Sequence, residues 1–167
     1  MLRALLVLTY AVLCFKFGAW KKWKDFYPTY LYAIIGDITY NFLFYEKSLW
    51  EYRNLVSHTF SNFLVALFVF PCAITLYLTH FPSNRWKQLL YILLWTVANT
   101  LIEFAANQLG DIVFLNNWSI YWSMALYFIA FVLVRVHYVK PLLVWPVSFA
   151  LAYITMYLFN VPLGGMK

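Results

Sequence analysis

The sequence predicts an all-α membrane protein, a polytopic bundle of transmembrane helices, and three observations support this class. Hydrophobic residues make up 65% of the 167 residues and charged residues only 11%, whereas a soluble domain is about 45–50% apolar and about 25% charged. The mean hydropathy is +0.72. The apolar residues form long continuous runs, unlike the alternating segments of about ten residues that build a membrane β-barrel.

Six of these runs are close to the roughly 20 residues that a helix needs to cross a bilayer. The predicted spans cover about residues 2–20, 26–45, 55–79, 86–108, 118–136 and 141–160 of a single transmembrane domain, 1–167. Five spans remain the alternative. Pro71 and Pro146 lie inside two of the runs and predict kinks, because proline removes one helical hydrogen bond. Lys16 and Lys21 follow the first run, which predicts an uncleaved span and no removed signal peptide.

The basic residues predict the orientation of the bundle. Eight of the twelve Lys and Arg residues fall in the first, third and fifth links between spans: Lys16, Lys21, Lys22, Lys24, Arg85, Lys87, Arg135 and Lys140. Cytoplasmic loops carry an excess of Lys and Arg, so both termini are predicted outside a cell membrane that the chain crosses several times. The net charge of +6 then reflects topology and attraction to lipid headgroups, and no nucleic-acid partner is expected.

Polar residues inside the predicted spans form three stripes with a spacing of four residues, which places each stripe on one helix face. The stripes are Asp37 and Asn41, His58 and Asn62, and Asn99, Glu103 and Asn107. All three fall in the outer halves of their spans, and an ionisable group there costs about 2.5–3.5 kcal/mol on insertion scales. The stripes therefore predict one outward-facing polar pocket, with Asp111, Trp118 and Trp122 at its rim.

The chemistry of the pocket leaves several functions open. The leading hypothesis is that it binds or conducts a small cation or polar solute, since intramembrane carboxylates and histidine are typical of such pathways. The alternative is an accessory or sensory subunit that meets a membrane-protein partner or another copy of the chain within the lipid bilayer. Each polar group would then only bridge neighbouring helices.

A membrane-embedded metal-dependent enzyme is the third hypothesis. Asp37, His58 and Glu103 are the candidate metal ligands, because one histidine and two carboxylates suit several divalent ions. The sequence has no hydrolase, phosphate-loop or dinucleotide motif. We therefore expect no enzymatic activity, assign no catalytic residue and identify no cofactor.

A family resemblance rests on three features of the sequence. These are the aromatic stretch Trp118–Trp122, the basic link Arg135–Pro141 followed by Trp145, and the acidic Glu103 in the fourth span. With them the chain resembles a family of small multi-spanning membrane proteins of spore-forming bacteria. That family has no assigned activity, so the resemblance implies a bacterial cell-membrane protein and transfers no functional residues.

Overall fold

Six helices and one short strand pair make up the part of the chain described by the computed structural model, which covers residues 2–18, 20–53 and 57–162. The helices are α1 (Leu2–Phe17), α2 (Trp23–Leu43), α3 (His58–Thr79), α4 (Arg85–Gln108), α5 (Ile120–Val139) and α6 (Pro141–Leu158). A 3₁₀ turn, Trp20–Lys22, precedes α2. The strands are β1 (Trp50–Tyr52) and β2 (Ile112–Phe114).

Four helices, α3 to α6, are long and apolar enough to cross a membrane. The predicted helical membrane class is confirmed at this level, and each of the six predicted spans coincides with a helix. Helix α1 is short, at 16 residues. Helix α2 has 21 residues, but Asp37, Asn41 and several tyrosines lower its hydropathy.

The links after α2 and α4 meet at one end of the bundle, which we call the strand end. Strands β1 and β2 pair there in antiparallel register, with Trp50 opposite Phe114 and Tyr52 opposite Ile112. Phe159, just after α6, packs against Trp118 at the same end. Helices α2, α4 and α6 therefore all run toward the strand end.

The links after α3 and α5 meet at the opposite end, which we call the basic end. The Arg135 guanidinium near the end of α5 lies 4.5 Å from the ring centroid of Phe81, in the link after α3. Tyr138 packs against Phe26 at the start of α2, with 5.6 Å between ring centroids. Consecutive helices from α2 to α6 thus alternate in direction.

An aromatic core joins α2, α3, α4 and α5 in the half of the bundle nearer the basic end. Its centre is Tyr77, whose side chain is 0% exposed and contacts the rings of Tyr91, Trp95 and Phe131. The Tyr77 hydroxyl donates a hydrogen bond to the Phe131 carbonyl at 3.0 Å. This core fixes how α3 packs against α4 and α5.

Near Pro71, where the sequence predicts a kink, α3 contains a π-helical turn over Val65–Val69, which ends two residues before the proline. Proline has no N–H to donate within a helix, and a π-helical turn is one way to absorb the interruption. The Thr75 hydroxyl donates to the Pro71 carbonyl at 2.7 Å. Pro146 lies inside α6, which continues through it.

Candidate polar site at the strand end

The polar stripes of α2 and α3 meet near the strand end, where Asp37 is the acidic group. The Asn62 side-chain amide donates to Asp37 Oδ2 at 2.5 Å. The Asn41 amide donates to the Asp37 backbone carbonyl, one turn earlier in the same helix, at 2.8 Å. These hydrogen bonds connect two helices at a partly buried carboxylate.

His58 extends this group to strand β1. Its Nδ1 atom accepts a hydrogen bond from the Tyr52 backbone N–H at 3.1 Å, so Nδ1 carries no proton. The Nε2 atom of the neutral ring then carries the proton and donates to Asn41 Oδ1 at 3.3 Å. The structure thus joins Asp37, Asn41, His58 and Asn62, which we call the Asp37 group.

Glu103 belongs to a second group that faces α5. Its two carboxylate oxygens accept hydrogen bonds from the hydroxyls of Ser123 and Tyr127, each at 2.5 Å. Ser123 Oγ in turn accepts the indole N–H of Trp118 at 2.9 Å. Glu103 is only 9% exposed, and both of its oxygens have donors. These four residues, the Glu103 group, have the arrangement of a structural hydrogen-bond network.

The three candidate metal ligands are divided between these two groups. Asp37 and His58 belong to the Asp37 group, whereas the Glu103 carboxylate is directed at α5. Within the described ranges, no three His, Cys, Asp or Glu side chains come together as a metal-binding group. The structure therefore does not bring the candidate ligands Asp37, His58 and Glu103 together as one metal-binding group.

The remaining predicted pocket residues make local structural contacts. Asn99 accepts a hydrogen bond from the Tyr10 hydroxyl at 3.1 Å and donates to the Trp95 carbonyl, which ties α1 to α4. Asn107 donates to the Ile112 carbonyl at 3.0 Å and holds β2 against the end of α4. The residues predicted to form a single pocket are therefore divided. One group lies on α2 and α3 and another on α4 and α5, and Asn99 and Asn107 make separate contacts.

The predicted rim residues have different environments. The Asp111 backbone carbonyl accepts the Arg53 N–H at 2.9 Å, beside the strand pair, and its side chain is buried. Trp118 is buried as well, with its ring 5.2 Å from that of Trp50. Trp122 is 42% exposed. Of these three predicted rim residues, Trp122 alone presents a large surface.

An aromatic layer covers the strand end above the Asp37 group. Tyr40 stacks on Trp50, with ring centroids 4.1 Å apart and planes 6° from parallel. The Tyr40 hydroxyl accepts the Leu49 backbone N–H at 3.1 Å. Trp118 continues the layer to Phe159, after α6. The layer therefore joins α2, β1 and the residues on either side of α5 and α6 at the strand end.

Sequence reasoning missed Ser123, Tyr127 and Tyr52. Ser123 and Tyr127 are four residues apart on α5, so their shared face could have been recognised. They are uncharged, however, and such residues are common in membrane helices. The role of Tyr52 depends on its backbone position in β1, for which the sequence carries no local signal.

Charge is distributed unequally between the two ends. Five of the six acidic residues lie at or near the strand end, and Asp25, in the first turn of α2, lies at the other. Neither Asp37 nor Glu103 contacts a Lys or Arg side chain in the described part of the chain. Asp37 and Glu103 therefore have no basic partner among the described residues, which favours a cation or a proton at these two groups.

Comparison with known proteins adds no relative to this description. No protein-family model matches the chain, and no curated protein or solved structure matches it either. The resemblance to membrane proteins of spore-forming bacteria stays a prediction.

Proposed function

We propose that this chain is a six-span protein of a bacterial cell membrane that binds a small monovalent cation at the Asp37 group. In this proposal α1 and α2 join the four long apolar helices as spans. The basic end faces the cytoplasm, and the strand end and both termini lie outside.

Helix lengths and charge support the six spans and their orientation. Helix α1, with 16 residues, is about 24 Å long, and Lys16 at its end can extend its ammonium group toward the interface. Helices α2 to α6 alternate in direction, and this antiparallel packing favours a crossing α2 beside a crossing α3. The links at the basic end carry most of the Lys and Arg, which favours the cytoplasmic side.

Reporter fusions test this orientation. Alkaline phosphatase fused within the links after α2 or α4 is expected to be active, because that enzyme folds outside the cytoplasm. Green fluorescent protein fused within the links after α3 or α5 is expected to fluoresce. The reversed pattern would contradict the orientation, and a failure to alternate at α1 or α2 would favour five spans.

The Asp37 carboxylate is the observation that carries the cation proposal. Among the described residues, Asn62 is the only side chain that donates a hydrogen bond to it, and none of their Lys or Arg side chains contacts it. Carbonyl and carboxylate oxygens are ligands for hard cations, and the side-chain amides of Asn41 and Asn62, which hydrogen-bond to Asp37, also carry such oxygens. With the His58 ring neutral, as its hydrogen bond from the Tyr52 N–H favours, an ionised Asp37 gives the group one negative charge, which matches a single positive charge.

Replacing Asp37 by asparagine tests cation binding. In the full chain purified in mild detergent, raising NaCl at constant ionic strength against N-methylglucamine chloride is expected to raise the thermal unfolding midpoint. The Asp37→Asn variant should lose this dependence, because an amide cannot balance a cation. Uptake of sodium by proteoliposomes, compared between the same proteins, then separates binding from conduction.

Asp25→Asn is the matched control, since it removes an exposed acid at the other end of the same helix. It should keep the full sodium dependence. If the unaltered chain shows no dependence on sodium or potassium, and Asp37→Asn only lowers stability, the Asp37 group is a structural hydrogen-bond network.

A second candidate function, an accessory or sensory subunit, is favoured by the outer face of α6. Trp145, Phe149, Tyr153 and Tyr157 recur every fourth residue, and the last three are strongly exposed. Such a stripe lies on one helix face and could pack against a membrane-protein partner or another copy. This role would be supported if a stoichiometric partner or a dimer is recovered in mild detergent. The association should be lost in the double variant Phe149→Leu, Tyr153→Leu.

A further inference from the structure

A groove of about 300 Å³ lies at the strand end, apart from both polar groups. Its polar lining comes from Lys47, Asn116, Asn117 and Asn160, and its apolar lining includes Trp122 and Leu158. Lys47 follows α2, Asn116 and Asn117 follow β2, and Asn160 follows α6. The groove therefore forms only in the folded bundle, where two links and the segment after α6 meet.

Lys47 is held at the C-terminal end of α6. Its ammonium donates to the carbonyls of Phe159 at 2.8 Å and Asn160 at 3.1 Å. Carbonyls at a helix C-terminus carry partial negative charge and stabilise a cation. An ammonium has three N–H donors, so one donor remains after these two bonds. Among the described residues that line the groove there is no carboxylate, and Lys47 is the one charged side chain.

Two of the asparagines add unused donors. In the described part of the chain, the side-chain amides of Asn117 and Asn160 form no hydrogen bond, whereas Asn116 donates to the Ser48 carbonyl at 2.7 Å. A lysine ammonium and amide N–H groups bind phosphate oxygens. Below them, the exposed faces of Trp122 and Leu158 offer contact to hydrocarbon.

We infer that this groove binds the phosphodiester of a membrane phospholipid, with the acyl chains along Trp122 and Leu158. The inference rests on the proposed placement in a bilayer with the strand end at one interface. Exposed tryptophan and tyrosine are typical of that level in the membrane, and Tyr121 and Tyr157 are strongly exposed near the groove. Lys47 supplies the charge, and the asparagine amides supply further donors to the same anionic group.

A cysteine in the groove provides a local probe of occupancy. Leu158→Cys in the full chain, purified in mild detergent, is expected to react with a maleimide reagent. The native cysteines Cys14 and Cys72 are buried, so the unaltered chain gives the background. The three positions Asn116, Asn117 and Asn160 stay unchanged, because they have positive φ angles that disfavour most replacements.

Dioleoylphosphatidylglycerol is expected to slow this labelling about tenfold relative to dioleoylglycerol, which has the same chains without the phosphate. Adding Lys47→Gln to Leu158→Cys should remove most of this difference in labelling rate between the two lipids, as expected for the loss of a hydrogen bond to a charged group. Lys47→Arg should retain it. Lys87→Gln, which changes a lysine at the basic end, should have no effect.

Several results would overturn the inference. Equal protection by the two lipids would indicate apolar contact alone, and equal protection by inorganic phosphate would indicate a site for a free anion. If Lys47→Gln does not fold, the lipid site is still tested by comparing the two lipids on Leu158→Cys, with and without Lys47→Arg. Extraction of the chain from membranes by alkaline carbonate would instead refute the bilayer placement. Firm membrane retention without protection refutes only the lipid site.

Discussion

Replacing Glu103 by leucine is expected to destabilise the folded bundle by about 3 kcal/mol. The change removes the acceptor for two hydroxyls, those of Ser123 and Tyr127. A buried polar group left without its partner costs about 1–3 kcal/mol. Because Ser123 also accepts the Trp118 indole N–H, the loss should extend to the packing of Trp118 at the strand end.

Glu103→Gln is the matched variant. A glutamine side chain keeps one acceptor oxygen of similar position but replaces the other by an amide that cannot accept a hydrogen bond. We therefore expect roughly half the destabilisation of Glu103→Leu. Glu46→Leu, at an exposed loop position, should change stability by less than about 0.5 kcal/mol.

Equilibrium unfolding in mixed micelles of mild detergent and dodecyl sulfate measures these differences. Intrinsic fluorescence should report a loosened Trp118 in Glu103→Leu even under folding conditions. A Glu103→Leu bundle as stable as the unaltered chain would show that the two hydroxyls find other acceptors. The sodium dependence assigned to Asp37 should persist in Glu103→Gln, since the two groups are separate.

The helices could be predicted from the sequence because each corresponds to a long and nearly continuous apolar run. The predicted fourth span, 86–108, differs from α4 (Arg85–Gln108) by one residue, and the predicted second, 26–45, begins three residues after α2 does. The strand pair could not be predicted in this way. Strands β1 and β2 have three residues each and are far apart in sequence, so their pairing depends on the finished bundle.

The candidate site, like the fold, could be predicted only in part. The spacing of Asp37 and Asn41 identifies the polar face of α2, and α3 does lie against it. On α4, Asn99 and Glu103 also share a face, but that face lies between two neighbours: Asn99 contacts α1 and Glu103 contacts α5. Periodicity identifies the polar face of a helix, whereas the neighbour that this face meets depends on the packing of the whole bundle.

Tyr77→Ala is expected to destabilise the bundle by about 4 kcal/mol, within the range for truncating large buried aromatic side chains. Lipid chains are as apolar as a buried ring, so water exclusion adds little within a bilayer. The loss comes from packing instead, because the cavity would remove contacts with Tyr91 and Trp95 on α4 and Phe131 on α5. Tyr77→Phe keeps the ring and loses only the hydrogen bond to the Phe131 carbonyl, for about 1 kcal/mol.

Tyr153→Ala is the matched control for this core, since it removes the same side chain from a position that is 64% exposed. It should change the free energy of unfolding by less than about 0.5 kcal/mol. Comparable losses from Tyr77→Ala and Tyr153→Ala would contradict the central position of Tyr77.

The Tyr77 variants also separate stability from function. Asn62 and Tyr77 lie on the same helix, α3, about 22 Å apart along its axis. Changes so far apart, without shared contacts, are expected to act independently. Tyr77→Phe should therefore lower the unfolding midpoint and keep its rise with sodium, whereas Asp37→Asn should abolish that rise. A loss of sodium dependence in Tyr77→Phe would mean that the dependence reports the packing of the whole bundle rather than an ion at Asp37.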